Sequence, residues 1–217
     1  LGGKGHKAVG KPHDGPVSRY VNRQISTRIS GYIVRKGIGV TPDQVSVISC
    51  LLAIVSGFLL AMGKLIAGGV LVQVSSIIDG VDGEIARLRN IASKRGGFLD
   101  TMLDRYSDIA IYLGLAYYLV TSWAQAAPLS FGLLATVIVL SVSGDLLVTY
   151  LHLKGEETFG RHPSTIGPLD SAASRDVRLF IIFLSCVTGH PFWGLVAVGV
   201  LSHVYVAVKT LYMYKLG

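Results

Sequence analysis

Six largely apolar stretches, at about residues 44–62, 65–87, 100–120, 129–152, 174–188 and 191–214, set the terms on which this chain can fold. A helix needs about 20 mostly apolar residues to cross the hydrocarbon core of a bilayer. Charged residues make up 15% of the chain, against roughly a quarter in a soluble domain. The expected fold is therefore an all-α integral membrane protein with six transmembrane helices. Thr41-Pro42-Asp43 ahead of the first span supplies a capping residue and a proline in the first turn. The two cysteines, Cys50 and Cys186, lie in apolar stretches and are expected to be buried, inert thiols.

The net charge of +7 is placed in a way that excludes a nucleic-acid footprint. Eight basic residues, from Lys4 to Lys36, precede the first span, and most of the others fall in 87–95 and 154–178. Putting these segments on one side leaves only Lys64 among the short loops opposite. That asymmetry predicts both termini on the cytoplasmic side of the cell membrane. Trp123, Trp193 and several tyrosines read as belt residues at the membrane interfaces.

Residues 17–36 place Val17, Tyr20, Val21, Ile25, Ile29 and Ile33 near one helical face, with Arg19, Arg23 and Arg28 elsewhere. This pattern predicts an amphipathic helix on the cytoplasmic membrane surface, the alternative being a helix packed on a soluble domain. Residues 1–14 carry no signal peptide and are expected to be a linker or tail from a preceding region, with the membrane domain running over 15–217.

The chemistry is concentrated between Asp79 and Asp108. Asp79 and Asp82 share a helical face at the end of the second span, and Asp100, Asp104 and Asp108 form a stripe at the start of the third. The intervening loop is short, so the two stripes are expected to face each other on neighbouring helices. Carboxylates within a membrane are costly and face a cavity or a partner. Several together call for a cation, and oxygen-only ligands favour Mg²⁺ or Mn²⁺ over Zn²⁺. Gly80, Gly83, Ala86, Gly96 and Gly97 leave room for a flat base or a pyrophosphate. Arg87, Arg89, Lys94 and Arg95 are positioned to offset phosphate charge. Such a site suits a nucleotide diphosphate.

Asp79-x2-Asp82-Gly83-x2-Ala86-Arg87-x8-Gly96-x3-Asp100-x3-Asp104 resembles the full signature of the CDP-alcohol phosphotransferase family. The resemblance implies that Asp79, Asp82 and Asp100 hold one or two divalent cations on the donor pyrophosphate. Asp104 would share in metal binding and take the proton of the acceptor hydroxyl. Asp79, Gly83, Ala86 and Gly96 would surround the nucleotide, with Arg87 supporting it electrostatically. It also implies a homodimer in membrane lipid. Asp108 lies outside the signature, as an outer partner of the site or of Arg105.

Arg175 and Arg178 are the candidate contacts for an anionic acceptor, with Arg161 and His162 as further ones. Asp145, inside the fourth span, is expected to line the cavity or bond a neighbouring helix, and His152, His162, His190 and His203 to be interfacial. The stretch KPHDGPVSRYVNRQISTRIS is similar to the linker of bifunctional family members that make di-myo-inositol phosphate phosphate and carry a fused cytidylyltransferase domain. On that resemblance the donor is CDP-inositol and the acceptor inositol 1-phosphate. A phospholipid synthase using CDP-diacylglycerol is the alternative within the family, and a divalent-cation transporter the alternative outside it.

Overall fold

The computed structural model describes residues 14–123 and 130–215. Apart from Asp14, the predicted linker at 1–14 lies outside the described residues, as do the side chain of Trp123 and most of the loop that follows it. The described residues form helices and turns with no strand. A π-helical turn, Ser18–Asn22, leads into α1 (Arg23–Arg35), followed by α2 (Pro42–Ala61), α3 (Leu65–Leu88) and α4 (Lys94–Tyr118). Beyond a second π-helical segment, Leu119–Trp123, come α5 (Phe131–Phe159), a short 3-10 turn at Pro163–Thr165, α6 (Arg175–Val187) and α7 (Pro191–Tyr214).

Local chemistry explains where the helices start. Thr41 caps α2 in a full capping box: its hydroxyl accepts from the Gln44 amide at 3.3 Å, and Gln44 Oε1 accepts from the Thr41 amide at 3.0 Å. Ser93 caps α4 by accepting from the Gly96 amide at 3.0 Å. This cap starts α4 at Lys94, six residues before the expected boundary, so Gly96 and Gly97 lie in its first turn. α5 likewise runs on to Phe159 and ends at Gly160, whose φ of 65° suits glycine.

α2 packs on both α3 and α4; α6 packs on α3 and α7, and α5 on α7. α2 and α4 approach backbone to backbone. A Cβ on Gly57 would strike the Ala110 carbonyl, and one on Gly114 would strike the Gly57 backbone. Ala53, Leu60, Ile111, Leu115, Ile182 and Leu195 fill the centre. Cys50 and Cys186 are buried and unbridged, as expected.

Four helices among the described residues, α2, α3, α5 and α7, are long and apolar enough to cross a membrane. This is two short of the six spans expected. α4 has the length but carries Lys94, Arg95, Asp100, Asp104, Arg105 and Asp108 between its start and its middle turns, and α6 has only 13 residues. The outer surface is nonetheless apolar, with Phe58, Leu113, Val139 and Trp193 largely exposed.

The segment before α2 packs through a polar seam. Asn22, Ser26 and Ser30, one turn apart, turn inward while Tyr20, Ile25 and Tyr32 stay exposed. The seam closes on Glu84 of α3, fully buried, whose carboxylate accepts from Ser26 and Ser30 at 2.6 Å each and from Arg23 Nη1 at 2.5 Å. Burial pulls the Arg23 guanidinium downward, but hydrogen bonds with Asp14 and Glu84 carry its pKa above the usual value.

Candidate active site

The C-terminal end of α3 and the N-terminal half of α4 converge on one end of the bundle. Their backbones make few close approaches and each leans on α2, but the two acidic stripes face each other across the opening as expected. There Asp79, Asp100 and Asp104 each bring a carboxylate oxygen into a group lying within 4.8 Å of one another. Three carboxylate oxygens so close repel unless positive charge joins them. Part of that charge comes from Arg175 at the start of α6, whose Nη1 lies 3.1 Å from Asp79 Oδ2 and 2.9 Å from Asp104 Oδ1. An all-oxygen, half-buried trio at an open cavity is a fitting donor set for a hard divalent cation.

Asp82 adjoins the trio through contact with the Asp100 side chain. It is buried, takes a short hydrogen bond from the Ser46 hydroxyl of α2 and another from the Gly83 amide, and faces two cavities. One cavity, about 210 Å³, is lined by Asp79, Asp82, Asp100, Asp104 and Arg175 together with His152 and His162. The other, about 400 Å³, is lined by Gly83, Ala86, Arg87 and Gly96 with Pro42 and Ser46 of α2. Asp82, Gly83, Arg87 and Asp100 belong to both. Asp82 and Asp100 therefore sit where the two spaces join, with Asp79 and Asp104 on the first side only, and the second volume is within the range of small-molecule pockets.

The expected acceptor arginines separate. Arg175 lines the first cavity. Arg178 is buried outside its lining, with Nε donating to Asp145 at 2.7 Å and a further bond to the Ala173 carbonyl. Arg161 is exposed and outside both linings. Arg89, grouped with the phosphate-facing cations, instead donates to the Val40 and Ile38 carbonyls at 2.6 and 2.5 Å. Asp108 is both things considered for it, 2.9 Å from Arg175 and 3.0 Å from Arg105.

His162, a further acceptor candidate, does line the first cavity, and beside it is a residue that the sequence did not assign to the site, His152. The two are ten residues apart, and the bend after Gly160 brings their rings together, tilted by 51°, with centroids 4.5 Å apart at the cavity wall. Asn22, Ser164 and Ser171 add neutral polar groups there. Only the chain's path brings these together. Glu84 is adjacent to Gly83 within the motif, yet it serves the seam with α1 rather than the cavity.

Fold and site thus define a helical protein with the features of a membrane enzyme, carrying a carboxylate cluster and a nucleotide-sized cavity at one end of its bundle. The profile of the CDP-alcohol phosphatidyltransferase family matches residues 39–204, and the chain belongs to that family. A bifunctional IPC transferase and DIPP synthase of Rubrobacter xylanophilus is 41% identical over 205 residues, covering 94% of this chain and 44% of that protein. The chain thus spans under half the length of the bifunctional relatives it matches first. An archaetidylinositol phosphate synthase of Pyrococcus horikoshii is 30% identical over 182 residues, 81% of this chain and 88% of that one. Among solved structures, Mycobacterium tuberculosis phosphatidylinositol phosphate synthase with CDP-DAG bound superposes with a TM-score of 0.71 at 22% identity, over 88% of this chain and 94% of that one. The same enzyme in complex with manganese and citrate gives 0.70 at 22% identity, over 88% and 89%.

Proposed function

We propose that this chain transfers a phosphoalcohol group from a CDP-alcohol to an acceptor hydroxyl and releases CMP. The observation that carries this is the gathering of Asp79, Asp100 and Asp104 at one cavity, walled by arginine and polar groups, that shares Asp82 and Asp100 with a second cavity sized for a nucleoside. The cytidine would occupy the space beside Gly83, Ala86 and Gly96, where missing side chains leave room. Asp79, Asp82, Asp100 and Asp104 would hold one or two Mg²⁺ or Mn²⁺ ions, which neutralise charge on the donor pyrophosphate. Asp104 would accept the proton of the acceptor hydroxyl. The freed oxygen attacks the phosphorus bearing the alcohol, the bond from that phosphorus to the oxygen shared with the cytidine phosphate breaks, and CMP leaves.

For the substrates we propose CDP-inositol and inositol 1-phosphate, giving di-myo-inositol phosphate phosphate. The relationship to bifunctional DIPP synthases supports this, as does the cavity wall of Asn22, His152, His162, Ser164 and Ser171, whose neutral donors and acceptors suit a polyol. In this reading a fused domain supplies the CDP-inositol. Six helices would cross the bilayer, α6 as a short element, with the site facing the cytoplasm and the exposed Tyr20, Ile25 and Tyr32 on the membrane surface. Donors carrying lipid are the second reading, favoured by the archaetidylinositol phosphate synthase relative.

A radiolabel assay of purified protein with Mg²⁺ tests both. CMP release from CDP-inositol plus inositol 1-phosphate is expected, abolished by chelation and reduced by at least about 10²-fold in Asp104→Asn, the scale of a lost general base. Release only with CDP-diacylglycerol would replace the polyol donor by a lipid, and no release with any CDP-alcohol would overturn the proposal.

A further inference from the structure

Behind the carboxylate trio, charges of alternating sign continue into the bundle. Arg175 Nε lies 2.9 Å from Asp108 Oδ1, and Arg105 Nη2 lies 3.0 Å from Asp108 Oδ2. Arg105 Nη1 reaches Asp145 Oδ2 at 2.9 Å and the Thr149 hydroxyl at 2.6 Å. Asp145 Oδ1 takes the Arg178 Nε at 2.7 Å. Asp108, Asp145 and Arg178 are each at most 3% exposed. The row draws on α4, α5 and α6, and neither Asp145 nor Arg105 touches either cavity.

The row decides how Arg175 divides its charge. Its guanidinium serves Asp108 on one side and Asp79 and Asp104, two members of the trio, on the other. A cation at the trio competes with Arg175 for those same two carboxylates. Whatever strengthens the hold of Asp108 on Arg175 therefore frees Asp79 and Asp104, and whatever weakens it ties them up. Asp108 is in turn shared with Arg105, and Arg105 with Asp145. Buried pairs are little screened, so a change of charge at one link is felt at the next.

We propose that Asp145 and Arg105 are positioning residues that set the divalent-cation affinity of the site through Asp108 and Arg175. The inference rests on the metal-site reading but not on the identity of either substrate. Neutralising Asp145 turns Arg105 wholly onto Asp108, loosens Asp108 from Arg175, and pushes Arg175 onto Asp79 and Asp104. Neutralising Arg105 does the reverse. The two changes are expected to move affinity in opposite directions, which a merely structural role for the row would not do.

The test is direct titration of the purified protein with Mn²⁺, free ion followed by electron paramagnetic resonance, with thermal melting to confirm folding. Asp145→Asn is expected to raise the Kd for Mn²⁺ about three- to tenfold, and Arg105→Gln to lower it by a similar factor, the span usual for coupling through a packed network. Arg105→Gln keeps the Asp145–Arg178 pair, so it tests the proposal even if Asp145→Asn does not fold. Saturable Mn²⁺ binding that neither variant moves, or that both weaken, would overturn this inference alone. No saturable binding by the unaltered protein would overturn the metal site and the inference with it.

Discussion

Glu84 lies within the acidic signature, one residue after Gly83, and its carboxylate turns away from the site to be shared by Arg23, Ser26 and Ser30 at zero exposure. Removing one member of a buried charged network strands the others. Glu84→Gln keeps the shape but halves the accepting capacity and leaves Arg23 with Asp14 as its remaining carboxylate, beside the Gly80 carbonyl. It is expected to cost about 2–3 kcal/mol, below the range for a fully buried pair because Arg23 is partly exposed. The check is a lowered melting temperature in detergent together with earlier protease cleavage before α2. Among the site residues, Asp82 differs from its neighbours in being anchored by Ser46 of α2. That bond ties the site to α2, and no spacing along the chain could have indicated it.

At the scale of elements, α2 holds the site open. It packs on α3 and on α4 while those two stand apart, and its Gly57 lies against Gly114 and Ala110 with no room for a side chain. Gly114→Leu must push the helices apart or distort them. The expected cost is about 1–3 kcal/mol, the range for overpacking a tight contact, read as a fall in melting temperature. Because α4 carries Asp100 and Asp104, the same variant is expected to weaken Mn²⁺ binding even where it remains folded. Gly57 and Gly114 do not stand out in the sequence among 26 glycines; they matter because of where two helices cross. The Thr41 cap, by contrast, is a local event and was legible as such, though not the return bond from Gln44.

For the whole molecule, the distribution of Lys and Arg predicts which way the bundle faces. A cysteine in place of Lys64, in the turn between α2 and α3, is expected to react with an impermeant maleimide in intact cells. One in place of Glu157, near the end of α5, is expected to react only after permeabilisation. Both positions are exposed, and the native Cys50 and Cys186 are buried, so the background is low. The reverse labelling pattern would put the carboxylate end of the bundle outside.

Apolar length, helix caps and the spacing of Asp79, Asp82, Asp100 and Asp104 are properties of short stretches of chain, and the sequence alone determined them. They depend on hydrophobicity and helical period, which neighbouring residues carry with them. The family signature lies in 26 consecutive residues for the same reason. What Arg175, Arg178 and Asp145 do was decided by tertiary structure. Arg175 and Arg178 are three residues apart and alike in type, yet one faces the trio and the other is buried against Asp145. His152 and His162 meet only through the bend after Gly160, and Asn22 reaches the cavity with its amide bonded to Gln73 and Ser76 of α3. A charged side chain buried out of water must find a partner wherever the fold places one, and that partner is set by how helices distant in sequence pack.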